Sequence, residues 1–369
     1  MISDIEFTLW ITLQQIPECG PSRIHKLLKA ANGDIAQLFN ASDSWLKLQG
    51  LSDPQLQSLR HPTQSIVDKC LVWLHASDNH HFIPVTSQQY PQQLKQISQA
   101  PAGLFVCGNS DILSLAQLAV IGSRAPTQAG KEVARSLAAD LSESGWIITS
   151  GLATGIDGCA HQGAVMAHQP TIAVLGTGVD IVYPRRHIKL VEQIIETGGT
   201  LLSEFLPGTQ AKAHHFPRRN RIIAGLSKGV LVVEATVKSG SLITCKYALE
   251  QDREVFAVPG NIRNPQSKGC HFLIKRGAKL VEEVEDINEE FQNLSFNGAE
   301  TASKNRKKST EQSLATDKLL DSVDYEATAI DVVAERSGLP IQVVTATLLE
   351  YELRGLVSAT SGGYIRLRG

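Results

Sequence analysis

Short, wholly apolar runs alternate with longer amphipathic stretches through the middle of this chain. The runs are Leu118–Ile121, Trp146–Thr149, Thr171–Leu175, Thr200–Ser203, Val230–Glu234 and Glu254–Val258. Each is too short for a helix and too apolar for a half-exposed strand, so it reads as a strand buried on both faces. Helices over about Thr127–Ser144 and Asp157–Ala167 separate the early runs, and helical stretches separate most of the others. Strands and helices in this alternation predict an α/β domain with a doubly wound, mostly parallel, Rossmann-like sheet over residues 79–287. Phe82–Val85 and Leu104–Val106 are two short strands leading into it.

The flanks follow other periods. Residues 1–78 read as a helical domain with six short helices: Asp4–Gln15, Pro21–Ala30, Ile35–Phe39, Ser42–Leu48, Asp53–Leu59 and Gln64–His75. Two joints, Ile16–Ser22 and Leu48–Asp53, each set a hydrophobic residue and a glycine between helices. That is the shape of a helix-hairpin-helix, although the near balance of acids and bases here favours a plain SAM-like helical scaffold. Residues 288–314 are polar, carry the basic run Lys304–Lys308, and read as a flexible linker. Residues 315–369 predict helices over Thr316–Val323, Ala329–Ser337 and Pro340–Arg354. A hairpin follows, Leu356–Ala359 and Tyr364–Leu367 around Ser361-Gly362-Gly363. Three helices and a wing make a C-terminal winged-helix domain.

Composition narrows the partners. The chain has 369 residues, 42% of them hydrophobic, and a formal net charge of −2, so any polyanion site must be locally basic. The start, Met-Ile-Ser-Asp-Ile-Glu, has an acid where a signal peptide needs a base, and no apolar run reaches spanning length. Six scattered cysteines without a C-x-x-C read as reduced thiols. A cytoplasmic protein without a membrane segment is expected.

In an open parallel sheet, ligands bind outside the carboxyl ends of the strands. The first such end is Gly122-Ser123-Arg124, a small-residue turn before a helix, suited to cradling a phosphate. Others are Gly151–Asp157; Gly176-Thr177-Gly178, leading to Arg185, Arg186 and Lys189; and Glu234, leading through Lys238 to Ser239-Gly240-Ser241 and Thr244. Phe216-Pro217-Arg218-Arg219-Asn220-Arg221 opens a helix whose apolar stripe is Ile222, Ile223 and Leu226. Helical spacing puts Arg218 and Arg221 on one flank as the favoured anion contacts. Arg219 either contacts the ligand or braces Glu204 or Glu234. Cations spread over separate loops suit a polymer of phosphates.

Other chemistries find less support. No G-x-G-x-x-G follows the first strand and no Walker A sequence occurs. Asp157 and His161 lie one helical turn apart but lack a third metal ligand, so a helix cap and a packed histidine are expected instead. Ser203, Ser239 and Ser241 have no evident base. No catalytic residue, metal or cofactor is therefore expected.

The run Val120–Arg124, the stretch Ser150–Asp157 with Ala160-His161, and Ile172–Gly176 resemble the DNA-processing protein A (DprA/Smf) family. So do Tyr183-Pro184, Ser203-Glu204, Phe216–Ser227, Ser239–Thr244, Arg253–Gly260 and Lys268–Ala278, in order across the whole central domain. Two departures are Thr154, where arginine is frequent, and Cys245, where alanine is usual. The resemblance implies a single-stranded DNA-binding protein of natural transformation and recombination. Such proteins protect incoming strands, overcome the single-strand-binding protein and help load the RecA recombinase. They form homodimers through the Rossmann-like domain and are not established enzymes. By position, Gly122, Ser123, Arg124, Arg219, Asn220 and Arg221 belong to the DNA groove, with Lys189 and Lys238 as outlying candidates. Residue reading adds Gly151, Arg218, Ser239, Gly240 and Thr244.

Only 5% of residues are aromatic, so binding is expected to rest mainly on phosphate capture. The presumptive recognition helix, Pro340–Arg354, carries Glu350 and Glu352 and no base before Arg354. It suits a protein partner better than a DNA groove, leaving Arg366 and Arg368 of the wing as the DNA candidates. The competing reading is a Rossmann-like nucleotide phosphoribohydrolase, because Ser239–Thr244 with Glu250 loosely matches that family's phosphate loop and acid. The missing Gly-Gly pair in this loop and the extra terminal domains argue against it.

Overall fold

A computed structural model describes residues 2–291 and 319–367. Its strands are β1 (His80–Pro84), β2 (Gly103–Gly108), β3 (Gln117–Ile121), β4 (Ile147–Ser150), β5 (Thr171–Val174), β6 (Thr200–Ser203), β7 (Gly229–Val232), β8 (Glu254–Ala257) and β9 (Lys279–Leu280). They form one nine-stranded sheet in the order β1-β2-β6-β5-β4-β3-β7-β8-β9. From β6 to β9 every pairing is parallel, while β1 and β2 add antiparallel at one edge. The sheet is thus mostly parallel and Rossmann-like, as the alternation of runs predicts. β3 through β7 are buried at every residue, which explains why they read as continuous apolar runs. Strand order reverses at β3, whose neighbours are β4 on one side and β7 on the other. That switch point is where an open sheet leaves a crevice.

Six helices precede β1, from Asp4–Gln15 to Gln64–His75. Their starts are capped by short polar side chains: Ser3 accepts from the Glu6 N–H, Asp34 from Ala36 and Gln37, and Ser42 from Trp45. The two hairpin-like joints are tied to each other. Gln55 Nε2 donates to the Pro17 carbonyl at 2.8 Å, and Arg23 Nη2 donates to Gly50 at 2.7 Å. The helices share a core with the sheet. Phe7 meets Phe82 edge-on at 5.2 Å, Phe82 meets Phe105 at 5.0 Å, and Trp73 meets Phe105 at 5.7 Å.

At the far end of the sheet unit, helix Val284–Glu290 corrects the expected linker start at residue 288. Asn288 accepts from the Trp146 indole N–H at 2.9 Å, and Phe291 packs edge-on against Trp146 at 5.2 Å. A polar sequence hid this, because one aromatic ring and one amide are enough to hold the turn. The rest of that segment, including Lys304–Lys308, lies outside the described residues.

The C-terminal unit has its own core of Val333, Val344, Leu348, Tyr351 and Val357. Helices Ile330–Ser337 and Ile341–Leu353 precede a hairpin of β10 (Val357–Thr360) and β11 (Gly363–Arg366). Thr360 pairs with Gly363, so the turn is Ser361-Gly362 and Gly363 belongs to the strand. The first expected helix is reduced, among the described residues, to the 3₁₀ turn Leu320–Ser322. Asp321 there bonds Arg366 of the wing at 3.0 Å, a pull toward the hairpin that an isolated helix would not meet. That pair also engages one of the wing's two candidate arginines; Arg368 lies outside the described residues. Glu350 faces Arg354 at 3.6 Å, and Glu352 accepts from the Ala359 N–H at 3.0 Å.

Phe105 is fully buried where helices and sheet meet. Phe105→Ala should cost about 3–5 kcal/mol in urea unfolding. Helix and sheet signals should still fall in one transition, because the same ring supports both; separate transitions would show independent cores.

Candidate nucleic-acid interface

The switch point opens into a cleft of about 440 Å³. One wall is the turn after β3. Ser123 N–H donates to the Glu234 carbonyl at 2.7 Å, which binds this turn to the end of β7. Gly122 is required by space: a Cβ there would lie 2.6 Å from Ile156 and 2.8 Å from the Glu234 carbonyl. Arg124 is exposed, forms no salt bridge among the described residues, and sits with its guanidinium 5.9 Å from the Phe216 ring centroid.

The opposite wall is the loop from Thr236 to the start of helix Ser241–Glu250. Ser241 Oγ donates to the Gly122 carbonyl at 2.6 Å, and Ser239 Oγ accepts from the Ser241 N–H at 3.2 Å. These hydroxyls shape the turn, and Gly240 between them borders open space. Thr244 is buried one turn further on. The roof is the start of helix His215–Leu226, from which Phe216, Pro217, Arg219 and Asn220 line the cleft.

Arg219 holds that roof in place. It is 3% exposed, and its Nη1 donates to the carbonyls of Gly151, at 2.6 Å, and Val174. These carbonyls stand at and just beyond the ends of β4 and β5, which have no further strand partner for them. Burial draws the Arg219 guanidinium down to about 10; Arg124 acts the same way, and Asp157 opposes both. Asp157 is buried in the cleft floor, and burial raises its carboxyl against the pull of Arg219 and of the Ala153 N–H. It lies in the first turn of helix Ile156–Met166, where Gly155 takes the cap position expected for it. His161 on the same helix is fully buried, and its ring Nδ1 meets Thr171 Oγ1 at 2.8 Å. The Thr171 hydroxyl donates onward to Ile148, so His161 carries its proton on Nδ1.

The structure pairs both arginines favoured from helical position with an acid. Arg221 is 2% exposed and donates to Glu204 Oε2 at 2.7 Å; Arg218 reaches the same oxygen at 3.0 Å. Neither lines the cleft. Glu204, at the end of β6, is buried and draws both guanidiniums to its own side of the helix. Arg219, for which the sequence leaves both ligand contact and bracing of Glu204 or Glu234 open, braces carbonyls rather than an acid and borders the cleft. The helix is seated closely enough on the strand ends that the apolar side holds Arg219 and the flank meets an acid.

Of the thirteen sequence candidates, eight share the cleft: Gly122, Ser123, Arg124, Arg219, Asn220, Ser239, Gly240 and Thr244. Gly151 lies beneath Arg219, where an added Cβ would stand 2.5 Å from the guanidinium. Lys189 and Lys238 are exposed and off the cleft lining. Sequence reading passed over Gln266, which comes from the turn after β8 and completes the lining. Only the Asn264-Pro265 turn signal pointed there, and Asn264 does cap that turn by accepting from the Gln266 N–H.

Two expectations follow. The His161 ring is lowered to about 3 by burial, so the unfolded chain takes up its proton first as pH falls through the ordinary histidine range. Stability from this group is complete above about pH 6.5 and is lost progressively toward pH 3. Urea unfolding should show roughly 2 kcal/mol less stability at pH 5.0 than at pH 7.5 from His161, and His161→Asn should flatten that difference. Separately, Arg221→Ala leaves the buried Glu204 carboxylate only the half-exposed Arg218 and should cost about 3 kcal/mol, read as a fall in Tm.

Residues 81–292 match the family model for DNA recombination-mediator protein A, and residues 303–363 match its winged-helix domain. The chain is 47% identical over 326 residues to Protein Smf of Escherichia coli K12, covering 88% of this chain and 87% of that one. Its fold is similar to the crystal structure of DNA processing protein A from Streptococcus pneumoniae, with a TM-score of 0.68 and 36% identity over 78% of this chain and 98% of that one. DNA processing protein A from Helicobacter pylori, studied for its single-stranded DNA binding mode, matches with a TM-score of 0.51 and 27% identity, over 55% of this chain and 93% of that one. With the switch-point cleft, the arginine-braced helix and the winged helix all in place, the chain belongs to the DNA recombination-mediator protein A family.

Proposed function

We propose that this protein binds single-stranded DNA in the switch-point cleft and serves natural transformation and recombination there, without catalysing a reaction. The observation that carries the reading is the join of Gly122-Ser123-Arg124 to the Arg219-Asn220 roof across one open cleft. Arg124 supplies the unpaired cation, the start of helix Ser241–Glu250 supplies a favourable dipole end, and Phe216 under Arg124 supplies a ring. The Helicobacter pylori relative, described by its single-stranded DNA binding mode, supports the choice of ligand. Lys189, Lys238 and Arg218 extend the interface as outlying phosphate contacts. In this role the protein shields incoming strands, displaces the single-strand-binding protein and helps load RecA, acting in the cytoplasm as a homodimer through the Rossmann-like domain.

Binding without turnover fits the groups present. Glu250, the acid on which the phosphoribohydrolase alternative rests, stands at the far end of helix Ser241–Glu250 and does not line the cleft. Among the described residues, no helix is long and apolar enough to cross a membrane.

Affinity for a single-stranded oligonucleotide should fall with salt at about 0.7 log units per log unit of salt for each phosphate neutralised. Arg124→Ala should weaken binding roughly tenfold and reduce that slope by about 0.7, with Tm unchanged. An unaltered slope would remove Arg124 from the interface.

A further inference from the structure

The cleft has an aromatic side chain in its lining, Phe216. At the end of β5, a Cβ on Gly176 would stand 2.9 Å from that ring, so a glycine makes room for it. The Arg124 guanidinium lies 5.9 Å from its centroid. A second ring, Tyr183, meets Phe216 at 5.4 Å between centroids, tilted by 43° rather than stacked face to face. Tyr183 comes from the loop between β5 and helix Ile188–Glu196.

Tyr183 is 51% exposed. A single exposed aromatic residue is ordinary. This one differs in two respects: it touches a ring of the cleft wall, and its loop is tied down at several points. Thr177 Oγ1 donates to the Ile181 carbonyl at 2.6 Å, and the Asp180 carboxylate accepts from the Gly208 N–H at 2.8 Å. His187 Nδ1 donates to the Leu152 carbonyl at 3.0 Å. A tyrosine has few torsions to lose, and a tied backbone adds little more, so laying a flat ligand on it costs little entropy. Cations follow at once in the chain: Arg185 and Arg186 are exposed and form no salt bridge among the described residues. Phe205, another ring near the strand ends, is already stacked on His215 at 4.1 Å.

We propose that Tyr183 is a stacking platform for one base of the bound strand, beside the nucleotide that meets Phe216. The proposal rests on the single-strand reading above. Every base has a flat π-face, so an aromatic ring holds any of them without reading sequence. One nucleotide step spans ~3.4 Å in a stacked strand and more in an unstacked one. Rings 5.4 Å apart therefore suit neighbouring nucleotides of an unstacked strand. The strand leaves the cleft over Tyr183 toward Arg185 and Arg186, which take its phosphates.

The test uses the full chain and two single-stranded oligonucleotides of equal length, one of thymidine and one abasic throughout. Affinities are read by fluorescence anisotropy over a series of salt concentrations. Tyr183→Leu keeps apolar bulk against Phe216 but has no flat face. It should bind the thymidine strand at least about fivefold more weakly than wild type, with salt slope and Tm unchanged. Tyr183→Phe should bind that strand as wild type does, and both variants should match wild type on the abasic strand. Unchanged affinity of Tyr183→Leu for the thymidine strand would overturn the platform and leave the single-strand reading standing. An equal loss on both strands would make Tyr183 a backbone contact or a prop for the cleft, and would also overturn it. A loss shared by Tyr183→Phe would assign the effect to the hydroxyl, with the same consequence. Failure of wild type to bind the thymidine strand would overturn both readings.

Discussion

The site depends on one buried guanidinium. Arg219 lies where the carboxyl ends of β4 and β5 run out of partners, and its Nη1 bonds the carbonyls of Gly151 and Val174. Such carbonyls need donors as surely as those inside the sheet. A side chain that supplies them also fixes the helix that carries it. Helix His215–Leu226 is therefore seated on the strand ends, and its seating sets the position of Phe216, Pro217 and Asn220 over the cleft. Gly151 must be glycine for the same reason, since a Cβ would occupy the space the guanidinium fills. The compensating acid is Asp157, whose raised carboxyl and the lowered Arg219 describe two charges sharing a desolvated floor.

That seating divides three neighbouring arginines among three jobs. Arg219 is structural and borders the cleft. Arg221 neutralises Glu204 inside the protein. Arg218, its side chain 46% exposed, shares Glu204 at the surface. A carboxylate flanked by two guanidiniums leaves one of them replaceable, and the exposed one is Arg218. A half-exposed cation at the surface and a buried one in the core thus come from the same short stretch.

Much of the fold was legible because its strands are buried on both faces. Val120, Ile148, Ile172, Leu202 and Val230 are fully buried, and no amphipathic alternative competes with that pattern. The candidate site was legible at the level of loops, since strand ends in a parallel sheet are few and each carries its own small-residue turn. Side-chain direction was not legible. Helical spacing groups Arg218 with Arg221 correctly but cannot say that the flank faces Glu204 and the inner side faces bare carbonyls. Gln266 escaped for a related reason: its role comes from where the turn after β8 lands, not from any local pattern. The start of the linker was misread because local polarity outweighed the distant contacts of Asn288 and Phe291 with Trp146.

The same geometry changes what kind of binding the cleft favours. A chain with few aromatic residues and several basic loops suggests phosphate capture. Yet Arg124 is the one exposed cation lining the cleft among the described residues, while Asn220, Gln266, Thr236 and the serine turn supply uncharged groups. Asp157 in the floor makes its deepest part unwelcoming to an anion. On the proposed single-strand reading, phosphate would lie at the rim, against Arg124 and the start of helix Ser241–Glu250, where the positive groups and the dipole end are. The interior, with its amides, hydroxyls and the Phe216 ring, has the chemistry of a base or sugar. A single strand held in this way would owe its salt dependence to the rim and the remainder of its affinity to groups that salt does not screen.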